Sequence, residues 1–421
     1  MKSEKNTENF AIKLTFYVMK FVGLWTADND SERRLRRIAI SYTITQNMYS
    51  IFIEGRDLFY TWPSGDMAVS ACLNRESKIH LPIVLVMLRH KDELLWLVSY
   101  ARQNFWHMNR DAYERKILLD CGRTCTLFIC CFTFFIQCTI FGYLINPIIV
   151  NIGRNESDRI IIYNMWTDLP LAYTPYFEMM FISQTLCTYH IGVCFFCFDN
   201  CLCLLCLYTA GQFRILQYRL SRLSDQQSVG ANDSPDAHYA TLKDCIRMHQ
   251  DLIEYCNKME TVFSKMALAQ VVLFSFLMCF TSFQMMIVHI PFHRRLAFFL
   301  HNLGDFCQLM MFTYSCGYMM DQSGLVETAA YFSPWSSLPI NNVGAHFRKD
   351  VMMIIARAQR PCCLTAYGFF PILFLTFSAI NVHSVTEWYN NFTLSFVWLF
   401  QVMSTAVSYF TLLRQTSGDI E

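Results

Sequence analysis

Stretches of about 20 residues with few or no charges recur along this chain, and each is long enough to cross a bilayer as a helix. Six are clear: Cys125–Ile149, Met179–Gly211, Val262–Ile290, Leu296–Met320, Cys362–Ile380 and Phe392–Leu413. Two more, Ile38–Phe59 and Asp66–Leu88, hold several polar groups each. Backbone N–H and C=O groups in a bilayer must be satisfied within the segment itself, so such spans fold as helices. Only 16% of the 421 residues are charged, against about 25% in soluble domains. An all-α polytopic membrane protein is expected.

The opening residues, "MKSEKNTENFAIKLTFYVMK", are charged throughout and lack a long apolar core with a small-residue cleavage site. No removed signal peptide is expected, so the first span directs insertion. The formal net charge of +1 points to no acidic partner, nucleic acid included. Nineteen cysteines suggest a disulfide framework until they are placed. Most lie inside apolar spans, as in "CTLFICCFTFFIQC" and "CFFCFDNCLCLLC". Cys194–Cys197 and Cys203–Cys206 imitate zinc-ligand spacing, yet no His stands beside them in a suitable loop, and a thiolate is costly at membrane depth. They read as small, weakly polar packing residues. For Cys201, Cys203 and Cys206, near a helix end, the alternative is palmitoylation.

Loop charge sets orientation, because Lys and Arg concentrate on the cytoplasmic side. "RRLRR" (Arg33–Arg37) precedes the first span. The second–third connection holds Arg89, Lys91, Arg102, Arg110, Arg115 and Lys116, and the sixth–seventh holds Arg348, Lys349, Arg357 and Arg360. The fourth–fifth connection is richer still, with Arg214, Arg219, Arg222, Lys243, Arg247, Lys258 and Lys265. The third–fourth loop instead balances Arg154 and Arg159 against acids; "HRR" at 293–295 is the discordant cluster. The N-terminus is therefore expected inside, opposite to a G-protein-coupled receptor. Asn155-Glu156-Ser157 is a sequon in a loop placed outside, which marks Asn155 for glycosylation.

The resulting division is a cytosolic segment 1–37, spans one to four over 38–211, a cytosolic connection 212–262 and spans five and six over 263–320. A cytosolic connection with the first part of helix seven follows over 321–361, and the last helix over 362–416. Within the large connection, Leu242, Ile246, His249, Leu252, Ile253, Cys256, Met259 and Phe263 recur at three to four residues, an amphipathic helix after a turn at "SVGANDSPDAH". The fourth and fifth helices are thus expected to extend beyond the bilayer and pack there.

Catalytic chemistry is missing: no Gly-rich phosphate loop, HExxH, GxSxG or paired carboxylates occur. His289, His293 and His301 have neither dyad nor metal spacing and read as surface or packing residues. Asp199, Glu178 and Asp305 are the ionisable groups within spans, and such carboxylates are functional candidates. No enzyme and no cofactor is expected.

In order and along most of the chain, these stretches resemble the insect odorant receptor family. The matches are "LPLAYTPYFEMMFISQTL" (169–186), "AGQFRILQYRL" (210–220), "LKDCIRMHQDLIEYCNKMETVFS" (242–264) and "YSCG" (314–317). They continue with "SGLVETAAYFSPW" (323–335), "RAQRPCCLTAYGFF" (357–370) and "STAVSYFTLLRQ" (404–415). Gustatory receptors are related, but their last-helix motif ends in Gln-Phe where this chain reads Ser408-Tyr409-Phe410.

The resemblance implies seven transmembrane helices with a cytosolic N-terminus, an extracellular C-terminus and a long last helix lining a pore. It implies an odorant-gated, non-selective cation channel in the plasma membrane of olfactory sensory neurons. A tuning subunit of this kind assembles with the odorant receptor co-receptor as a heterotetramer, through cytosolic extensions of helices four to seven. The ligand is a small, volatile, apolar molecule, held in a pocket between spans two, three, four and six. Burial of apolar area dominates such binding. By position the pocket residues are Thr139 and Gly142 in the third span, Phe177, Met180 and Phe181 in the fourth, and Phe306 and Met310 in the sixth; helix or lipid packing is the other reading of each. Carried through "SYFTLLRQT", the gate falls on Leu412 and its polar neighbour on Gln415, with Thr416 where a second apolar gate residue is often found. A Leu ring obstructs ions by dewetting, and an amide ring can replace hydration water.

One segment resists this pattern. Joining Tyr367–Ile380 directly to Met403–Thr416 gives about 28 residues, roughly 42 Å of helix and one tilted span. Including residues 381–402 gives about 50 residues and roughly 75 Å, too long for one span. Hydropathy alone splits the region into two spans around "NVHSVTEWYNN", which makes eight helices and inverts the gate. The segment 381–402 therefore reads as an insertion, either a translated intron, whose product would be non-functional, or a genuine one. Beside the odorant receptor stand a gustatory-type homomeric channel of the same fold and, from another class, a transporter or G-protein-coupled receptor.

Overall fold

The computed structural model describes residues 10–25, 27, 29–61, 89–106, 111–162, 172–223, 235–286, 292–333 and 342–368. Among them no strand occurs, and the helices in order are α1 (Phe10–Val22), α2 (Asp30–Thr61), α3 (Lys91–Asn104) and α4 (Ala112–Asn151). Then come α5 (Tyr176–Arg222), α6 (Pro235–Met286), α7 (Phe292–Tyr331) and α8 (Asn342–Ala358), with a 3-10 turn, Glu156–Asp158, between α4 and α5.

α5 is the axis of the fold. Every residue from Phe196 to Phe213 is buried, and a helix apolar on all sides belongs in an interior. It packs against α7, α4, α1, α6 and α2. One side of the core joins Leu205 and Phe213 to Leu97 of α3 and to Tyr255, Met259 and Phe263 of α6. The other joins Leu204, Leu207 and Tyr208 to Leu118, Ile129 and Phe132 of α4.

α4 shows the opposite pattern on its outer face. Leu127, Phe134, Phe141 and Ile148 recur every seventh residue and are 51–64% exposed. A contiguous apolar strip of that length is not left to water; in a chain of this composition its solvent is lipid.

Two features depart from the expectations above, and one alternative loses its ground. The charged opening contains α1, whose Ala11, Ile12, Thr15, Met19 and Val22 are buried at helical spacing; the surrounding lysines mask the stripe in a hydropathy average. Cys201, Cys203 and Cys206 are at most 1% exposed, so they pack within the core and offer nothing to an acyl transferase. The apolar stretch beginning at Cys362 does not start as helix: 361–368 is coil. Thr365 gives its backbone N–H to Glu260 at 2.8 Å, and Tyr367 and Gly368 adopt positive φ of 52° and 76°, where Gly alone is unstrained. Residues 381–402 and the expected second span from Asp66 lie outside the described residues.

At the end of the bundle opposite the α4–α5 loop, charges hold the helices together. Asp111 caps α4 through the Ala112 N–H at 2.9 Å and pairs with Arg222 at 3.3 Å. Arg219 of α5 grips Glu114 of α4 with two N–H groups, at 2.7 and 3.2 Å. The Glu114 side chain is only 7% exposed, so it depends on that partner. Arg219→Met should therefore destabilise the fold by about 2–3 kcal/mol, less than for a fully buried pair because Arg219 is partly solvated. Adding Glu114→Gln should recover most of the loss, as measured by unfolding of the detergent-solubilised protein.

On α6, the buried members of the amphipathic stripe are Leu242, His249, Leu252, Cys256, Met259 and Phe263. Burial, aided by the positive charge of Arg357, lowers the His249 pKa to about 4. The neutral ring is the folded form, so its contribution is intact above the ordinary value of about 6.5 and lost as pH falls towards 4. Between pH 7 and 5 the protein should lose on the order of 1–2 kcal/mol of stability. His249→Gln should flatten that slope in thermal melts across pH.

Candidate ligand-binding region

The pocket residues expected from sequence fall into two groups. The first lies on α5 near its start. The Phe177 and Phe181 rings stack at 6.0 Å, and both are half-buried, as is Met180. Tyr49 of α2 donates its hydroxyl to the Met180 sulfur at 3.6 Å and accepts from Ser183 at 2.9 Å. This pair fixes the α2–α5 approach and places a hydroxyl among apolar and aromatic side chains.

The second group lies between α4 and α7. A Cβ on Gly142 would stand 3.5 Å from the Ala297 Cβ, and one on Gly304 would stand 3.9 Å from the Thr139 hydroxyl. Thr139 donates that hydroxyl to the Phe135 carbonyl one turn back at 2.9 Å. Thr139 and Gly142 therefore stand at a close helix–helix contact, with Phe306 and Met310 half-buried on the same α7. A turn closer to the loop end, the Tyr143 hydroxyl meets His301 Nδ1 at 3.2 Å, and His301 Nε2 lies 3.4 Å from Asp305. These contacts tie the first group to α2 and the second to α7.

Over the first group sits the α4–α5 loop. Asn151 closes it, donating to the Ile160 carbonyl and accepting the Ile160 N–H, each at 2.8 Å. Arg159 lies 5.4 Å above the Phe177 ring and within 3.5 Å of Glu156 and 3.9 Å of Glu178. Asn155 is exposed in this loop. The arrangement covers the start of α5 with a charged lid stacked on an aromatic floor.

Deeper along α5, Asp199 is 1% exposed and accepts from Gln270 of α6 at 2.8 Å and from Gln308 of α7. One carboxylate thus ties three helices. Sequence reading singled out Asp199 but not its partners; the signal was available, since Gln270 and Gln308 are polar residues inside apolar runs. His190, bonded to Thr43 at 3.1 Å, was missed for the same reason.

At the charged end, a cavity of about 270 Å³ opens between α3, α5 and α6, lined among others by Tyr100, Asn104, Gln212, Arg219, Asp244 and Asp251. Charges of both signs make it a poor host for an uncharged volatile. No group of three His, Cys, Asp or Glu side chains among the described residues is placed to hold a metal ion. The expected gate positions Leu412, Gln415 and Thr416 lie outside the described residues.

Asp199→Leu should leave two buried amide donors without an acceptor and cost about 2–4 kcal/mol. Asp199→Asn, which retains one acceptor oxygen, should cost less than half of that in the same melts.

The model of the 7tm Odorant receptor family matches residues 85–385. Odorant receptor Or2 of Anopheles gambiae is 23% identical over 251 residues, 58% of this chain and 57% of that protein. Odorant receptor 13a of Drosophila melanogaster is 23% identical over 252 residues, 57% of this chain and 54% of its own. The chain thus spans little more than half the length of these curated relatives. Among solved structures, the insect olfactory receptor OR5 from Machilis hrabei in complex with eugenol aligns with a TM-score of 0.77 at 13% identity, over 96% of this chain and 97% of that one. The all-α fold is shared with that receptor.

Proposed function

We propose a function from one premise: this chain belongs to the 7tm odorant receptor family, a family of membrane-embedded receptors and not of enzymes. It is the tuning subunit of an odorant-gated, non-selective cation channel and assembles with the odorant receptor co-receptor as a heterotetramer. It sits in the plasma membrane of olfactory sensory neurons, with the charged end and N-terminus cytosolic and the C-terminus outside. The observation that carries this reading is the family match over residues 85–385.

The ligand is small, volatile and largely apolar, as eugenol is for the Machilis receptor named above. Phe177, Met180, Phe181, Phe306 and Met310 supply apolar area, with Thr139 and Gly142 on the wall between α4 and α7. Tyr49 and Ser183 offer the ligand a hydroxyl. Asn155, exposed on the loop that this orientation places outside, carries the glycan. Leu412 forms the gate, with Gln415 and Thr416 beside it. The charged end, built from 212–262 and 321–361, is the region through which subunits assemble.

Residues 381–402 interrupt the pore helix. In support, the family match ends at residue 385, just inside that segment. Co-expression with the co-receptor, with and without residues 381–402, tests the whole reading against a panel of volatiles. The shortened chain should give odorant-evoked cation currents that require the co-receptor, and the full chain should give at least several-fold less. Currents without the co-receptor would favour a gustatory-type homomer. Silence from a shortened chain that reaches the cell surface would sink the proposal.

A further inference from the structure

The face of α1 turned away from the bundle combines aromatic and basic side chains. Phe10, Lys13, Tyr17, Lys20 and Phe21 are exposed along it, within about 100° of the helix circumference, while the opposite face packs on α5, α4 and α2. After α1 the chain folds back along α2. The Thr43 hydroxyl donates to the Val22 carbonyl at 3.1 Å, a Cβ on Gly23 would meet Ile40 at 2.7 Å, and Arg36 donates to the Trp25 carbonyl at 3.2 Å. Residues 22, 23 and 25 thus meet 43, 40 and 36 in that order, so the first turns of α2 return towards the level at which α1 starts. Lys13 lies about 14 Å of helix before Val22, and Arg37 and Arg33 lie about 9 and 15 Å before Thr43. Arg33, Arg34 and Arg37 are exposed.

The depth of this corner follows from α4. Arg123 is exposed and stands one turn before Leu127 on the same face; beyond it that face is the apolar strip Leu127, Phe134, Phe141 and Ile148. Headgroups therefore stand near Arg123, and acyl chains begin at Leu127. Ala11 and Ile12 share an apolar cluster with Ile117, Leu118 and Cys121 of α4, which puts the start of α1 at headgroup level. Its other end lies against α5, with the Phe21 ring 5.4 Å from that of His190. Charge fits the same surroundings. From residue 10 to 38 the sequence carries Lys13, Lys20, Arg33, Arg34, Arg36 and Arg37 against Asp28, Asp30 and Glu32. Arg33 meets Asp30 at 3.7 Å with both side chains largely exposed, a pair too weak to withhold the guanidinium from another anion.

We propose that the corner between α1 and α2 is a binding surface for an anionic phospholipid of the bilayer. Lys13, Arg33, Arg34 and Arg37 meet its phosphate and any further acidic group of the headgroup, while Tyr17 and Phe21 lie along its acyl chains. Helical side chains lean towards the N-terminus, so Lys20 directs its ammonium back to the same headgroup layer. An amphipathic helix with aromatic and basic residues on its outer face is held at a membrane surface by both forces together. The cytoplasmic leaflet is the one rich in anionic lipid, and the orientation proposed above puts the corner there. The lipid joins the outer face of α1 to the start of α2, and so clamps α1 against the bundle. Binding of this kind weakens as salt screens the headgroup charge.

The full chain, purified in a neutral detergent, is titrated with short-chain phosphatidylserine or phosphatidylcholine. Lipid adducts are counted by native mass spectrometry, and hydrogen exchange is followed along the chain. Phosphatidylserine should bind at least about fivefold more tightly, the increment expected from one engaged Lys or Arg, and should slow exchange over residues 10–38. Arg33→Gln combined with Arg37→Gln should bring its affinity down to that of phosphatidylcholine. Arg115→Gln combined with Lys116→Gln, which removes charge from α4 outside the corner, should leave the preference intact. Equal affinities in the unmutated chain, protection confined to other segments, or a preference that survives the Arg33 and Arg37 changes would each overturn the proposal. The exchange pattern of the unmutated chain decides the location even if a variant fails to fold. No co-receptor or odorant enters this assay, so its failure leaves the receptor reading untouched, and silent channels leave the lipid site untouched.

Discussion

A helix buried on every side is the constraint on which the rest of this structure depends. From Phe196 to Phe213, α5 has no face left for lipid or water. Five other helices must therefore be arranged around it, and its side chains must fit between them. That accounts for the residues found there: Leu for volume, and Cys, Ala, Gly and Thr where a neighbour comes close. It also accounts for how its polar groups behave. Thr209 returns its hydroxyl to the Leu205 carbonyl at 2.7 Å, and Gln212 reaches the Phe105 carbonyl. Asp199 takes amide donors from two other helices. None of these groups can be solvated instead, so each bond fixes the rotation of a helix as well as satisfying an atom.

The same constraint separates the two ends of the molecule. Near the start of α5 burial is incomplete, and half-buried Phe177, Met180 and Phe181 stand under a loop pinned by Asn151 and Arg159. That end has apolar area to offer and one hydroxyl cluster, Tyr49 with Ser183. At the other end the helices run on past the apolar core and are tied by ion pairs, Arg219 with Glu114 and Arg222 with Asp111. Asp199 stands between them. One helix, α5, runs from Phe181 to the charged end, and Asp199 ties it to α6 and α7 on the way.

Much of this was legible in the sequence, and the part that was not has a physical reason. Apolar length identifies a span whatever covers it, so the stretches behind α4, α5 and α7 stand out. The stripe on α6 stands out for a similar reason, since Leu242, Leu252, Met259 and Phe263 keep one periodicity through a polar segment. Periodicity does not say what lies opposite, however. Leu127 and Phe134 on α4 face outward while Ile129 and Phe132 face the core, yet all four have the same chemistry. Thr139 and Gly142 were placed by resemblance, but only the approach of Ala297 and Gly304 puts them at a helix contact. Asp199 was conspicuous because a carboxylate in an apolar run is costly; its acceptor geometry, and so its partners, exist only once three helices are assembled. α1 escaped because its stripe is short and set among lysines.

The coil after α8 shows why an apolar run need not be helix from its first residue. In the coil, Glu260 accepts the Thr365 N–H and the Ser323 hydroxyl accepts the Cys362 N–H. Both acceptors sit on helices α6 and α7 that the core already fixes, Ser323 at 2% exposure, so the course of the coil follows theirs. The chain therefore turns at Tyr367 and Gly368, with its direction set by α6 and α7. Its polar clasps, rather than the apolar sequence around them, are what hold the coil to α6 and α7.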